Sequence, residues 1–85
     1  MDNRAKRAML APVRYYADLI RNKQKVTIWL YENTAMKIEG RITAFDTYMN
    51  ITLEQAEEVY VKTSNRRSIG NIMLKGDNIA VVQKI

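Results

Sequence analysis

The chain has 85 residues, enough for one hydrophobic core, so we expect a single domain. It contains no cysteine and no histidine, which excludes disulfides, thiolate nucleophiles, imidazole bases and the usual zinc ligands. The whole excess of the +5 net charge lies in residues 1–25, which hold seven lysines or arginines against two aspartates.

The N-terminal residues predict a loose basic arm over residues 1–11, followed by the domain over residues 12–85. Such an arm gains affinity for phosphates by counterion release, although a solvated tail that aids solubility explains the charge equally well. No apolar run has the length of a signal peptide or of a membrane span, so we expect a soluble intracellular protein.

A short helix of about three turns is predicted from Pro12 onwards. Proline suits the first turn of a helix, and four apolar residues follow at positions i, i+3, i+4 and i+7. These four residues are Val13, Tyr16, Ala17 and Ile20.

The hydrophobic period then falls to two, which predicts β-strands over residues 26–31 and 36–45. The expected inward side chains are Val26, Ile28, Leu30, Met36, Ile38, Ile42 and Ala44. Gly40 takes an inward position of the second strand, where a missing side chain indicates a sharp bend.

A third strand is predicted from residue 49 or 50 to residue 61, with Ile51 and Leu53 inward. Its alternation breaks around Ala56, which indicates a bulge or bend. A polar, basic loop then covers residues 62–68.

Two last strands are predicted over residues 69–75 and 78–85, separated by a turn. In that turn Gly76 can adopt positive φ, and Asp77 or Asn78 can hydrogen-bond nearby backbone.

One helix before five short, bent antiparallel strands describes a mainly β fold, a small open barrel of the SH3-like or OB-like kind. An open barrel leaves two strand edges with unpaired backbone groups, which must be protected or paired with another chain. The last two strands are the candidates because they are apolar and carry few charges. A chain this small also has marginal stability alone, so partner subunits are plausible.

Catalysis would depend on the carboxylates together with lysines, since imidazole and thiol groups are absent. Glu57 and Glu58 are adjacent on a strand, so their side chains point to opposite faces and do not converge on one bond. We interpret the acidic residues as solvated charges and expect no enzyme, no catalytic residue, no cofactor and no metal site. The carboxylates considered are Asp46, Glu54, Glu57, Glu58 and Asp77.

Single-stranded nucleic acid fits better, because an unpaired base needs a flat surface for stacking, hydrogen-bonding groups and a nearby cation. Tyr48 and Asn50 provide the first two from one loop, and Lys75 can provide the third. A loop tyrosine also often packs, and an aspartate such as Asp46 often only forms a turn. A peptide-binding module with an aromatic cage is a further alternative, but it needs several converging aromatic residues.

The stretch IEGRITAFDTYMNITLEQAEE at residues 38–58, followed by IMLKGDN at 72–78, resembles the two-part Sm motif of the Sm and LSm proteins. Lys75 stands where most members of the family have arginine, so it offers a point charge without a planar stacking surface.

The resemblance implies the Sm fold and a heteroheptameric ring in which the fourth strand of one subunit pairs with the fifth strand of the next. The neighbours would be paralogous Sm proteins, with the F and G members adjacent. The ring would bind uridine-rich single-stranded RNA in the spliceosomal small nuclear RNAs and act in ribonucleoprotein assembly and pre-mRNA splicing. It implies location in the nucleus with a cytoplasmic assembly phase. The alternative within the family is an LSm-type ring in RNA decay or small-RNA stabilisation.

The resemblance also assigns residue roles. The implied RNA-binding residues are Tyr48, Met49, Asn50, Lys75 and Gly76, with Asp46 and Asp77 supporting them. The implied subunit interface contains Ile72, Met73, Leu74, Ile79, Val81 and Val82.

Overall fold

The computed structural model describes residues 13–85, so the predicted arm over residues 1–11 lies outside the described residues. A helix, α1, covers residues 13–21. The strands are β1 (Lys25–Leu30), β2 (Met36–Phe45), β3 (Ile51–Tyr60), β4 (Arg66–Leu74) and β5 (Ile79–Lys84), with a short 3-10 helix at Gly76–Asn78. They form one bent antiparallel sheet in the order β4-β3-β2-β1-β5, which confirms the predicted mainly β fold. The sheet is open, and β4 and β5 are its two edges, as expected.

The core forms where the alternating apolar residues of the strands meet α1. The largest side chains with almost no exposure are Leu19, Val26, Ile28, Ile38, Ile51 and Leu53. Burying side chains of this size contributes about 1.5–3 kcal/mol each, which is the main source of stability in so small a domain.

The helix contacts the sheet through a face that overlaps the predicted stripe at Tyr16 and Ile20 but is rotated from it. Tyr16 and Leu19 are buried, and Tyr15 and Ile20 pack against the core beside them. Val13 is exposed. The stripe expected from the sequence is therefore rotated, because a helix this short satisfies several similar apolar spacings and only the sheet selects among them.

Gly40 is buried at the predicted bend of β2. The pairing of β2 with β3 shifts register between Glu39 and Arg41. A Cβ atom on Gly40 would lie 3.1 Å from the Glu54 carbonyl oxygen and 3.2 Å from the Ala56 Cα. The glycine therefore allows β2 and β3 to approach closely where the sheet bends.

The predicted irregularity at Ala56 is also present. The pairing of β3 with β4 shifts register on both sides of this residue, and Gln55 has a φ of 52°. Ala56 itself stays fully buried, so the bulge bends the strand without exposing the core.

Two predictions about strand ends are wrong. Ala44 is exposed instead of inward, because the register shifts again between Ile42 and Ala44 and the alternation ends there. The loop predicted over residues 62–68 is shorter, since Arg66–Ser68 already belong to β4. An edge strand exposes polar residues, so its first residues resemble a loop in sequence.

Glu39, Glu57 and Glu58 are ion-paired, which corrects the interpretation of the two last residues as solvated charges. Glu39 is only 6% exposed, and its Oε1 lies 2.6 Å from Nη1 of Arg66. The same guanidinium lies 3.6 Å from Glu57, while Arg67 lies 3.8 Å from Glu58. Arg66 therefore holds β4 to a buried carboxylate of β2 across the intervening strand.

We expect Arg66→Ala to lower the midpoint of thermal unfolding by several degrees, because it leaves the buried Glu39 carboxylate without its cation. Arg67→Ala is the matched control, since it removes only a longer and more exposed pair. Circular dichroism melts of both variants test this, and equal midpoints would contradict it.

Candidate nucleic-acid interface

The loop between β2 and β3 is a tight hairpin turn. The Met49 N–H donates to the Asp46 carbonyl at 3.0 Å, and the Asp46 N–H donates to the Asn50 carbonyl at 3.1 Å. Met49 has a φ of 63°, so a turn is followed by a left-handed residue, as in common three-residue hairpin loops. Methionine is costly in this conformation, but its side chain is half-buried against the core.

The Asp46 carboxylate organises this loop. Its Oδ1 accepts hydrogen bonds from the N–H groups of Tyr48 at 2.9 Å and Asn50 at 3.0 Å. Its Oδ2 accepts from the side-chain amide of Asn50 at 3.0 Å. The aspartate therefore fixes both the backbone that carries Tyr48 and the orientation of the Asn50 amide.

Desolvation of the Asp46 carboxylate acts to raise its pKa, but the hydrogen bonds from Asn50 and Tyr48 outweigh it, and the pKa lies below its usual value. A lowered folded-state pKa means that this contribution to stability is present above the unfolded pKa of about 3.9. It is lost as the pH falls through the folded-state pKa. The loop is therefore held by an ionised carboxylate at neutral pH.

Asn50 joins the two loops that carry the predicted RNA-binding residues. Its Oδ1 accepts a hydrogen bond from the Gly76 N–H at 2.8 Å, across 26 residues of sequence. With its Nδ2 bound to Asp46, the amide retains one N–H and one oxygen lone pair for a ligand. A donor and an acceptor therefore remain side by side in a fixed orientation.

Gly76 is required for a different reason from the one predicted. Its φ is not positive; the glycine with positive φ is Gly70, at 73°. A Cβ atom on Gly76 would lie 2.5 Å from the Tyr48 carbonyl oxygen and 2.8 Å from the Met49 carbonyl carbon. Only a residue without a side chain allows the two loops to lie this close.

The remaining residues predicted to bind RNA surround this junction. The Tyr48 side chain is 81% exposed, so its ring is available for stacking. Lys75 is exposed and directly precedes Gly76, whose backbone contacts the Tyr48 loop. The structure thus brings the loop of Tyr48 and Asn50 together with the turn that carries Lys75.

Asp77 is exposed and, within residues 13–85, makes no hydrogen bond to Asn50 or to the loop before it. Its neighbour Asn78 anchors the turn instead. The Asn78 carbonyl accepts from the Tyr31 N–H at 2.9 Å, and its Oδ1 accepts from the Glu32 N–H at 3.0 Å. The sequence pattern pointed to Asn78 as a turn residue but gave no sign that its partners lie at the end of β1.

The residues predicted at the subunit interface divide into two groups. Met73 is 62% exposed and Val81 is 45% exposed. The other four pack against the core: Ile72, Leu74, Ile79 and Val82. Since β4 and β5 are both edge strands, each has backbone groups that another strand can pair with, and Met73 and Val81 also offer apolar side chains to a neighbour.

Neither a metal cluster nor a membrane-spanning helix is found in the described part of the chain. Residues 13–85 contain no group of three or more acidic, histidine or cysteine residues placed to hold a metal ion. In the same range no helix is both long enough and apolar enough to cross a membrane.

The sequence profile of the LSM domain matches residues 18–84. The chain is 48% identical over 82 residues to a Drosophila melanogaster protein named probable small nuclear ribonucleoprotein E, covering 96% of this chain and 87% of that protein. The structure matches a heptameric archaeal Sm protein with a TM-score of 0.72 at 25% identity, covering 85% and 97% of the two chains. It also matches a Pyrococcus abyssii Sm protein solved with a uridine heptamer, with a TM-score of 0.73 at 20% identity over 87% and 97%.

Proposed function

The chain belongs to the LSM-domain family, and from that premise we propose that it is an RNA-binding core subunit of a heteroheptameric Sm ring. The ring binds the uridine-rich single-stranded site of spliceosomal small nuclear RNAs and acts in ribonucleoprotein assembly and pre-mRNA splicing. The identity to small nuclear ribonucleoprotein E and the likeness to a heptameric Sm protein support this function.

Ring formation follows from the open sheet. The edge strands β4 and β5 each carry a row of backbone groups that another strand can complete. In this proposal β4 of one subunit pairs with β5 of the next, and the F and G Sm proteins are the adjacent subunits. The exposed Met73 and Val81 side chains lie on these two strands and add apolar contacts.

Base recognition is assigned to the junction of the two loops. The exposed Tyr48 ring stacks on a base, and the free N–H and lone pair of Asn50 bind its edge. Uracil presents an N3–H donor beside a carbonyl acceptor, which complements this pair of groups. Lys75 supplies a positive charge next to the base or its phosphate, and Met49 and Gly76 shape the pocket.

The observation that supports this assignment is the Gly76 N–H to Asn50 Oδ1 hydrogen bond, because it joins the two loops that carry the residues of both sequence motifs. A single stacked base contributes only about 1–3 kcal/mol, so one subunit binds RNA weakly. A ring adds several such pockets at fixed spacing and gains affinity from their number.

The proposal includes no catalytic role, and the absence of histidine and cysteine from the sequence supports this. It places the protein in nuclear ribonucleoproteins, with a cytoplasmic assembly phase. The ring subunit is the domain over residues 12–85, preceded by the basic arm over residues 1–11.

Tyr48→Ala in the assembled ring tests the pocket. We expect the Kd for a fluorescent oligouridine to rise about 5- to 30-fold, or about 1–2 kcal/mol, because the stacking surface is removed. The lower part of the stacking range applies since an exposed tyrosine must be ordered on binding. Fluorescence anisotropy measures the change.

Tyr60→Ala is the control, because Tyr60 is also exposed but ends β3 opposite Met36, at the other end of the strands from the pocket. Unchanged affinity of the Tyr48 variant, or an equal loss in both variants, would refute the assignment of the pocket.

A further inference from the structure

The outward-facing backbone groups of β5 follow from its pairing with β1. The Ile85 N–H donates to the Lys25 carbonyl at 3.2 Å, and the same register continues to Ile28 opposite Val82. Directly opposed residues of antiparallel strands alternate between hydrogen-bonded and non-hydrogen-bonded pairs. Lys84 and Val82 therefore fall in non-hydrogen-bonded pairs, and their N–H and carbonyl groups point away from β1 towards the open edge.

One of these outward groups already has a partner within the chain. The hydroxyl of Tyr15, on α1, donates to the Val82 carbonyl oxygen at 3.3 Å, across 67 residues of sequence. The Tyr15 ring is half-buried and packs against the core, so the hydroxyl is held at the edge by the helix. The edge of β5 is thus covered at Val82 by a side chain of its own subunit.

We propose that Tyr15 ends the intersubunit ladder on β5, so that β4 of the neighbouring subunit pairs only with the part of β5 before Val82. This inference rests on the ring contact of the proposed function. A hydrogen-bonded strand pair uses both the N–H and the carbonyl of one residue. A strand that pairs at Val82 must bring its own N–H to the Val82 carbonyl, where it competes for space with the Tyr15 hydroxyl, 3.3 Å from that oxygen. Lys84, the last residue of β5, adds a charge of the kind that protects strand edges.

A defined end of the intersubunit ladder matters because the two edge strands, β4 and β5, differ in length. β4 has nine residues and β5 has six, so several alignments are available to the paired strands. A slip of one residue turns the side chains of the strand to the opposite face, and a slip of two moves the neighbouring subunit by about 7 Å. Tyr15 removes alignments that extend to the C-terminal end of β5 and thereby selects the register of the ring.

Hydrogen exchange resolved to single amides tests this in the assembled ring and in the isolated chain. In the wild type we expect the Val82 amide to exchange at a rate within roughly threefold in the two states. The Gln83 amide faces β1 and serves as an internal control that is protected in both states. Strong protection of the Val82 amide on ring assembly overturns the proposal.

Tyr15→Phe removes only the hydroxyl, and in its ring we expect the Val82 amide to gain at least about tenfold protection as the ladder lengthens. Tyr16→Phe is the matched control, because it removes a hydroxyl from the next residue of the same helix. Exchange at Val82 that is the same in both variants overturns the role of Tyr15.

Failure of the ring to form would count against the proposed function, and the inference is then decided on the isolated chain. There the longer free edge of the Tyr15→Phe variant must increase self-association in sedimentation velocity over that of Tyr16→Phe. Equal sedimentation of the two variants overturns the inference in that case.

Discussion

Gly76→Ala is expected to destabilise the chain by about 2–3 kcal/mol and to weaken RNA binding by the ring roughly 100-fold or more. The new Cβ would lie 2.5 Å from the Tyr48 carbonyl oxygen and 2.8 Å from the Met49 carbonyl carbon. Both are backbone atoms of a tight turn, so the loops must separate. Separation lengthens the bond between Gly76 and Asn50 and displaces Tyr48 and Lys75 from each other.

Gly70→Ala is the control for this prediction. Gly70 has positive φ, and a Cβ atom added there would meet no other atom within 4 Å, so alanine costs only about 1–2 kcal/mol of backbone strain. Gly70 lies in β4, outside the proposed pocket, and in rings whose assembly is confirmed by native mass spectrometry we expect RNA affinity close to that of the wild type. Urea denaturation and anisotropy titration measure the two quantities. Wild-type RNA affinity in the Gly76→Ala variant would contradict this prediction, because it would show that RNA binding does not need the close contact between the Gly76 turn and the Tyr48 loop.

Asn50→Ala is expected to raise the Kd for oligouridine about 30- to 150-fold, equivalent to about 2–3 kcal/mol, while the ring still assembles. The substitution removes the groups that face the base, and it also leaves the Gly76 N–H and one Asp46 oxygen without their partner. The effect exceeds that of Tyr48→Ala because orientation of the pocket is lost together with a contact. Asn50 lies outside β4 and β5, so subunit pairing is preserved.

Asn33→Ala serves as the matched control, since Asn33 also uses its side chain to hold a loop, accepting from the Ala35 N–H at 3.1 Å. Its loop lies between β1 and β2. The hydrogen bonds that join this loop to the turn after β4 run from the N–H groups of Tyr31 and Glu32 to Asn78, and the Asn33 side chain takes no part in them. Native mass spectrometry confirms assembly before each titration. Wild-type affinity in the Asn50 ring would remove Asn50 from base recognition, and failure to assemble would give it a structural role instead.

The strands are predictable because their signal is local. β2 has the bounds indicated by the alternation of its residues, and Gly40 and Ala56 mark the places where the ladders shift. An inward residue that lacks a side chain, or a break in alternation, is visible in sequence. The edge strands are also predictable from their apolar content and few charges.

Other features depend on contacts that a local pattern does not contain. The buried face of α1 is not predictable because Leu19 and Val13 fit similar helical stripes, and the sheet decides between them. The start of β4 resembles a loop in sequence, since Arg66–Ser68 gain their strand structure from pairing with β3. Long-range pairing overrides local preference at such positions.

The candidate RNA site likewise combines features that a local sequence pattern predicts with features that depend on long-range contacts. The residue types in the loop, Tyr48 and Asn50, are enough to suggest stacking and hydrogen bonding to a base. The sequence predicts the requirement for Gly76 for the wrong reason, because close approach to the Met49 backbone is a property of two segments and not of one. Pairing of Glu39 with Arg66 is equally hidden, since the two residues are 27 positions apart.

The order of strands in the sheet has a consequence for any assembly built from it. One boundary strand is β4 and the other is β5, and they differ in length and in side chains. Contact between unlike boundaries has a polarity, so each subunit has a distinct left and right neighbour. If each edge also pairs with only one kind of neighbour, a set of different chains takes a fixed cyclic order, and a strand of RNA passing through the ring meets the subunits in that order.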